Sequence, residues 1–218
     1  MTKPRVVETD SGIQGEFIVG AYDQMQRHMR DLGLMDTKEI IASGVNSGRV
    51  LEIGPGPGYL GLEWLKLTRD TRLCGAEISP EMVELARRNA AQYSFSERTD
   101  YTLGDARKLS FPDESFDGVF TCDSLHEWSE PLEILREIHR VLKPGGRFFI
   151  SDLRRDAGFA ARLVMYFTVK PKSILPGLKT SLDAAYIKGE VEEIFAVSPL
   201  CNFRVTQNPF GLRITGTR

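Results

Sequence analysis

Cysteine and histidine are scarce in this chain, and neither sign of charge predominates. Each shortage closes off a class of function. The three cysteines, Cys74, Cys122 and Cys201, are odd in number, and none sits at a zinc-motif spacing. Neither a disulfide framework nor a structural metal site is expected, and free thiols point to a reducing compartment. No carboxylate cluster marks a metal site either. The longest apolar run, Phe159 to Val169, is interrupted by Arg162 and is too short to span a bilayer. The opening MTKPRVVETD lacks the apolar segment of a signal peptide, which makes a cytoplasmic location the expectation. With 28 Lys and Arg against 30 Asp and Glu, the formal net charge is −2. The basic residues are dispersed, apart from a modest group after residue 153, so no footprint for nucleic acid is expected.

What is present suits one large α/β domain, or one domain with an added cap: 218 residues, 41% hydrophobic and 27% charged. The first 45 residues read as helical. Tyr22, Met25, Met29 and Leu32 recur at helical spacing, and Asp36 is placed to cap a second short helix. From Arg49 strands alternate with helices. Arg49 to Ile53 reads as a strand, followed by a helix ending near Leu67, and Arg72 to Glu77 as the next strand. Ser79-Pro80 then supplies an N-cap and first-turn proline for a helix carrying Met82, Leu85 and Ala86 on one face. Tyr101 to Leu103 and the apolar run Phe116 to Thr121 read as strands. Leu132, Leu135, Ile138 and Leu142 mark a helix that Lys143-Pro144-Gly145-Gly146 stops, and Arg147 to Ser151 is a further strand. The alternation predicts a doubly wound, mostly parallel seven-stranded sheet with helices on both faces. Near the C-terminus Phe203 to Gln207, the turn Asn208 to Gly211 and Leu212 to Gly216 predict a hairpin and an antiparallel last strand. The expected division is an N-terminal helical cap over residues 1–45 and a main domain over 46–218, with a helical insertion at about 153–198.

Between the first strand and its helix the chain reads Val50-Leu51-Glu52-Ile53-Gly54-Pro55-Gly56-Pro57-Gly58-Tyr59-Leu60-Gly61. Glycines let the backbone turn sharply and approach a ligand, and the following helix presents free N–H groups. Two registers fit. Gly56, Gly58 and Gly61 match the dinucleotide pattern G-x-G-x-x-G, with Glu77 at the ribose-binding distance. Glu52, Gly54, Gly56 and Gly58 form the other, with the acid inside the strand.

Later features favour the second register. Glu77-Ile78 ends the second strand, Gly104-Asp105-Ala106 follows the third, and Phe111 to Asp117 and Arg140 to Gly146 come after in order. Over residues 48 to 152 the sequence resembles the class I (Rossmann-like) S-adenosylmethionine-dependent methyltransferases, in their small-molecule group. The resemblance implies S-adenosylmethionine as cofactor. It places Glu77 on the ribose hydroxyls, Asp105 with the Ala106 N–H at the adenine, and Gly54, Pro55, Gly56, Gly58 and Tyr59 along the methionine portion. Glu52 would orient the loop or meet the ammonium, Ile78 and Met82 would pack on the adenine side, and Cys122 and Asp123 would line the methionine side. Read singly, Glu77 is a solvated strand-end acid, Asp105 a turn residue and Met82 core.

Ligands of open α/β sheets gather beyond the strand carboxyl ends, so Asp123 to Trp128 should face the sulfonium. His126 is the only histidine there and is the candidate catalytic residue, able to take a proton from the acceptor; the competing reading packs it against the next helix. Tyr22, Glu127, Trp128 and Arg154 are the candidate acceptor contacts. The insertion mixes Phe159, Leu163, Val164, Met165, Tyr166 and Phe167 with Arg154, Arg155, Arg162, Lys170, Lys172 and Lys179. It reads as a cap over an apolar, anionic acceptor, as an ordinary surface helix, or as a contact for a second copy (a homodimer) or a membrane surface. The expected activity is methyl transfer to a small-molecule acceptor. Two rivals are a nicotinamide-dependent oxidoreductase and a non-catalytic protein that binds S-adenosylmethionine.

Overall fold

The computed structural model describes residues 4–7, 13 and 15–218. The helical reading of residues 1–45 and the reading of the N-terminus fall partly outside these residues. Eight α-helices and seven strands are described: α1 (Glu16–Asp31), α2 (Thr37–Ala42), β1 (Arg49–Ile53), α3 (Tyr59–Leu67), β2 (Arg72–Glu77), α4 (Pro80–Gln92), β3 (Thr99–Leu103), β4 (Phe116–Cys122), α5 (Pro131–Val141), β5 (Leu142–Leu153), α6 (Phe159–Thr168), α7 (Leu175–Ala184), α8 (Lys188–Ala196), β6 (Asn202–Gln207) and β7 (Gly211–Thr217). The strands form one sheet in the order β3-β2-β1-β4-β5-β7-β6. β1 to β5 pair in parallel, while β7 runs antiparallel to both β5 and β6.

The central strands β1, β2 and β4 are buried on both faces because helices cover both. On one side Leu62, Trp64 and Leu65 of α3 and Val83, Ala86 and Ala90 of α4 pack on Val50, Leu73 and Phe120. On the other, Ile134, Leu135, Ile138 and Val141 of α5 and Val191 and Phe195 of α8 pack on Leu51, Val119, Phe148 and Ile150. Neighbouring residues such as Val50 and Leu51 go to opposite faces, as the period of two demands. Each fully buried side chain of this kind contributes about 1.5–3 kcal/mol of transfer free energy. The last pair of β1 with β4 is Glu52 with Phe120, and the pairing of β1 with β2 ends at Ile53 with Ala76. The carboxyl ends of β1, β2 and β4 therefore lie side by side, with the glycine loop after β1 between the other two.

Local chemistry departs from the sequence reading at two points, Asp36 and Leu142. Ser79 caps α4 as expected, its hydroxyl accepting from the Met82 N–H at 3.4 Å. Asp36 precedes α2 but makes no side-chain cap; its carboxylate accepts from Arg213 of β7 at 2.6 Å, because a long-range cation offers a stronger partner than a backbone amide. Leu142 does not end α5. The helix stops at Val141, and the chain passes directly into β5 through Lys143 to Gly146, with a register shift against β4 between Phe116 and Gly118. Arg5 ties the N-terminal segment across the molecule, donating to the carbonyls of Ala184 (2.5 Å) and His126 (2.8 Å).

Candidate active site

The turn after β1 is built from left-handed backbone. Gly54, Gly56 and Gly58 have φ of 65°, 52° and 82°, conformations that disfavour any residue with a Cβ. Space adds a second reason at Gly54, where a Cβ would stand 2.5 Å from Ser124 Oγ. At Gly58 a Cβ would meet Tyr101 and Ala86, so this glycine serves packing between β3 and α4 rather than the cavity.

Glu77 closes the other side of the turn. One carboxylate oxygen accepts from the Gly56 N–H and the other from the Ser79 N–H, both at 2.9 Å. Burial raises its pKa, while these amides and that of Ile78 pull the other way. Each oxygen keeps acceptor capacity. Glu52, on β1, has less company, with only the Gly61 amide pulling its pKa down. Its Oε2 is buried without a hydrogen-bond partner, and burial, reinforced by the charge of Glu77, pushes its carboxyl up to about 8.

Two adjoining cavities share Ile13, Tyr22, Gly54, Asp123 and Glu127 in their walls. The smaller, about 100 Å³, is lined by Gly54, Gly56, Glu77, Ile78, Met82, Asp105, Ala106 and Trp128. The larger, about 980 Å³, takes in Glu52, Pro55, Cys122, His126 and Asp152 and extends outward between α1, α6 and the β6–β7 hairpin. Tyr22, half-buried on α1, lies between the two, its ring 3.3 Å from where a Gly56 Cβ would be.

Most of the residues singled out in the sequence therefore meet at one place, with some changes. Tyr59 lines neither cavity. Its hydroxyl donates to buried Asp23 of α1 at 3.0 Å, so it anchors α1 on α3. Arg154 is turned away, gripping Asp156 at 2.7 and 2.8 Å and the Asn208 carbonyl at 3.0 Å. Asp105 reaches the smaller cavity, but its carboxylate is held by Arg107, which lowers its pKa. Trp128 is buried in the core beneath the same wall, with one edge on the cavity.

His126 changes most. It sits in a short 3-10 turn, Leu125–Glu127, with its ring 2.7 Å from Asp152 and its backbone N–H 2.5 Å from the other oxygen of that carboxylate. Burial alone would lower its pKa, but the Asp152 charge and hydrogen bond outweigh it and raise the imidazole to about 9. The carboxylate thereby holds the ring toward its charged form. Asp152 escaped the sequence reading because nothing near it in the chain signals a partner 26 residues away. Asp123 is the carboxylate poised near neutrality. Its backbone is left-handed, at φ 54°. The residue is exposed at the cavities, with protein around it on the inner side. That enclosure and the charge of Asp152 push it up to about 7.

An open sheet with a glycine turn after β1 and an acid at the end of β2 defines a nucleoside-cofactor fold. The comparisons make the class definite. A family model described as a methyltransferase domain matches residues 51–150. An O-methyltransferase from Aspergillus nomiae is 31% identical over 151 residues, covering 67% of each chain. A demethylmenaquinone methyltransferase from Symbiobacterium thermophilum is 34% identical over 128 residues, covering 58% of this chain and 50% of that enzyme. The chain thus spans about two thirds of one curated relative and half of the other. The solved structure of a Methanococcus maripaludis protein, described as an S-adenosyl-L-methionine-dependent methyltransferase, shares the fold with a TM-score of 0.74 at 20% identity, covering 100% of this chain and 97% of that one. The chain belongs to the class I S-adenosylmethionine-dependent methyltransferases, whose methyl donor is S-adenosylmethionine. The nicotinamide register of the glycine loop is set aside. The residues present fit the donor: Glu52 offers a buried, unpartnered oxygen to a cation, and a Cβ at Gly54 would fill the turn.

Proposed function

We propose that the protein transfers a methyl group to a small-molecule acceptor seated in the larger cavity. The observation that carries this reading is the meeting of two cavities at Tyr22, Gly54 and Asp123: a tight one on the adenosyl-type residues and a roomy one beyond. S-adenosylmethionine, when bound, supplies an electrophilic methyl on a sulfonium together with an ammonium group. Glu77 would hold the ribose hydroxyls, Glu52 the ammonium, and Met82, Ile78 and Ala106 the adenine. Asp105 remains the candidate for the adenine amino group, steadied by Arg107. Displacement at an activated methyl asks the protein mainly to align the acceptor and exclude water. Tyr22 closes the passage over Gly56. Where the acceptor must lose a proton, Asp123 is the base we assign, since its exposed carboxylate stands where the two cavities meet and its pKa is raised by the cavity walls and by the neighbouring Asp152. His126, charged and tied to Asp152, positions the 123–127 turn.

Calorimetric titration with S-adenosylmethionine, S-adenosylhomocysteine and nicotinamide dinucleotides tests the reading. The adenosyl ligands should bind and the dinucleotides should not, and Glu77→Ala should weaken binding at least about tenfold. The free carboxyls at Glu52 and Asp123 are raised, so a cationic ligand that ionises them releases protons. Affinity should therefore rise as pH rises from 6 to 8, by about tenfold per unit where one group dominates. Dinucleotide binding without adenosyl binding would overturn the assignment.

A further inference from the structure

Helix α6 is apolar nearly all round, although it lies on the surface. Ala161 and Met165 face inward, while Phe159 (81% exposed), Leu163, Tyr166 and Phe167 (64% exposed) stand in solvent. Its single charge, Arg162, does not relieve this, because the guanidinium turns back to the carbonyls of Ala157 at 3.0 Å and Arg155 at 2.5 Å. The contrast with α4 is plain: that surface helix exposes Glu81, Glu84, Arg87 and Arg88 on its outer side. A helix without a polar face is expected in a core or against lipid.

The surroundings of α6 are basic. From Ala157 to Leu182 the sequence holds Arg162, Lys170, Lys172 and Lys179 and no acid, in a chain that carries more acid than base overall. Lys170, Lys172 and Lys179 are exposed. Lys172 Nζ lies 5.1 Å from the Tyr166 ring centroid and caps the end of α6 through the Tyr166 and Val169 carbonyls. Aromatic side chains beside lysines suit the interface of an anionic bilayer, where rings enter the acyl boundary and ammonium groups stay at the headgroups. No helix among the described residues is long and apolar enough to cross a membrane, so such a contact lies in the interface plane.

The position matters to the cavity. Val164, on the same helix and half exposed, lines the 980 Å³ cavity, as do exposed Ile18 and Phe210. The apolar face and the cavity mouth therefore adjoin. A second copy of the chain suits the face less well, because an isologous contact would set this acid-free basic strip against its own copy.

We propose that α6 and the lysines that follow it dock the protein on an anionic lipid surface, with the mouth of the larger cavity at that surface. Co-sedimentation of the full chain with phosphatidylcholine vesicles, with and without phosphatidylglycerol, tests this. Binding is expected only with phosphatidylglycerol present, and should weaken as salt is raised. Phe159→Ser with Phe167→Ser should lower partitioning about tenfold or more, and Lys170→Gln or Lys179→Gln about fivefold each. Both phenylalanines are exposed, so the variants should melt like the parent. Absence of vesicle binding would overturn the proposal. So would equal binding to neutral vesicles, or binding that none of the variants changes. A dimer in sedimentation velocity that the double phenylalanine variant dissolves would assign the face to a second copy instead. None of these readouts depends on methyl transfer.

Discussion

The rim formed by the ends of β1, β2 and β4 and the outer face of α6 are built on opposite plans. At the rim, polar groups lie deep and several are bonded, while Glu52 Oε2 and Thr121 Oγ1 are buried without a partner. Glu77 spends both oxygens on backbone amides, and Asp152 takes both the ring and the amide of His126. On α6 large apolar groups lie outside, and the polar ones are folded back on the chain. The rim is expensive to alter, because a buried polar group that loses its partner has no water to turn to. The outer face is cheap to alter, because its residues already stand in water. The two regions touch the same large cavity and divide its duties: the rim fixes the donor and the acid–base groups, and the outer face borders the way in.

Three substitutions probe this difference. Asp152→Ala should have the largest effect, because it strips a buried carboxylate from a charged imidazole and from a backbone amide. A loss of about 3–5 kcal/mol is expected in urea unfolding. The His126 pKa should drop from about 9 to below the ordinary value near 6.5, since burial is then unopposed; proton NMR of the ring reads this directly. Because the folded pKa is raised, the stabilisation is fully present below about 6.5 and fades as pH climbs through about 9. The gap between parent and variant should close in that window. A small effect at neutral pH would mean that the 123–127 turn is held by β4 alone.

Gly61→Ala comes next. Gly61 lies in α3, where a Cβ would collide with the Glu52 carboxylate and a Leu73 methyl. Overpacking at such a site should cost about 1–3 kcal/mol, seen as a lowered midpoint in thermal unfolding. Gly177→Ala, in α7 beside the outer face, should move the other way. A Cβ there meets nothing within 4 Å, and alanine in a helix is about 0.5–1 kcal/mol better than glycine. If both glycines cost the same, the supposed contrast between a tight rim and a loose periphery fails.

The turn, strand end and helix cap that make the proposed donor side were legible in the sequence because their signals are local. Gly54 and Gly56 are demanded by a left-handed turn, Glu77 ends the strand that neighbours it, and Ser79-Pro80 opens a helix within the same few residues. Such features need no knowledge of distant chain. The acceptor side was read less well for the opposite reason. Arg154 was a reasonable anion contact by composition, but Asp156 and the Asn208 carbonyl claim it. On the donor side, Tyr59 stood in the right motif, yet its hydroxyl donates to Asp23 of α1. His126 read as a candidate base from the chain alone; the Asp152 carboxylate beside its ring, which raises its pKa, could not be read there.

By itself the sequence determined the alternation of strands and helices, the hairpin at the end, the glycine turn and the order of the donor-site acids. These follow from side-chain period, backbone sterics and neighbours a few residues apart. Tertiary structure alone decided the surroundings that raise the pKa values of His126, Asp123 and Glu52. It also left α6 with an apolar face toward solvent and joined that helix to the cavity. Charge state depends on burial and on partners brought in from other strands, and exposure depends on which face the fold happens to cover; neither is written in any short stretch of chain.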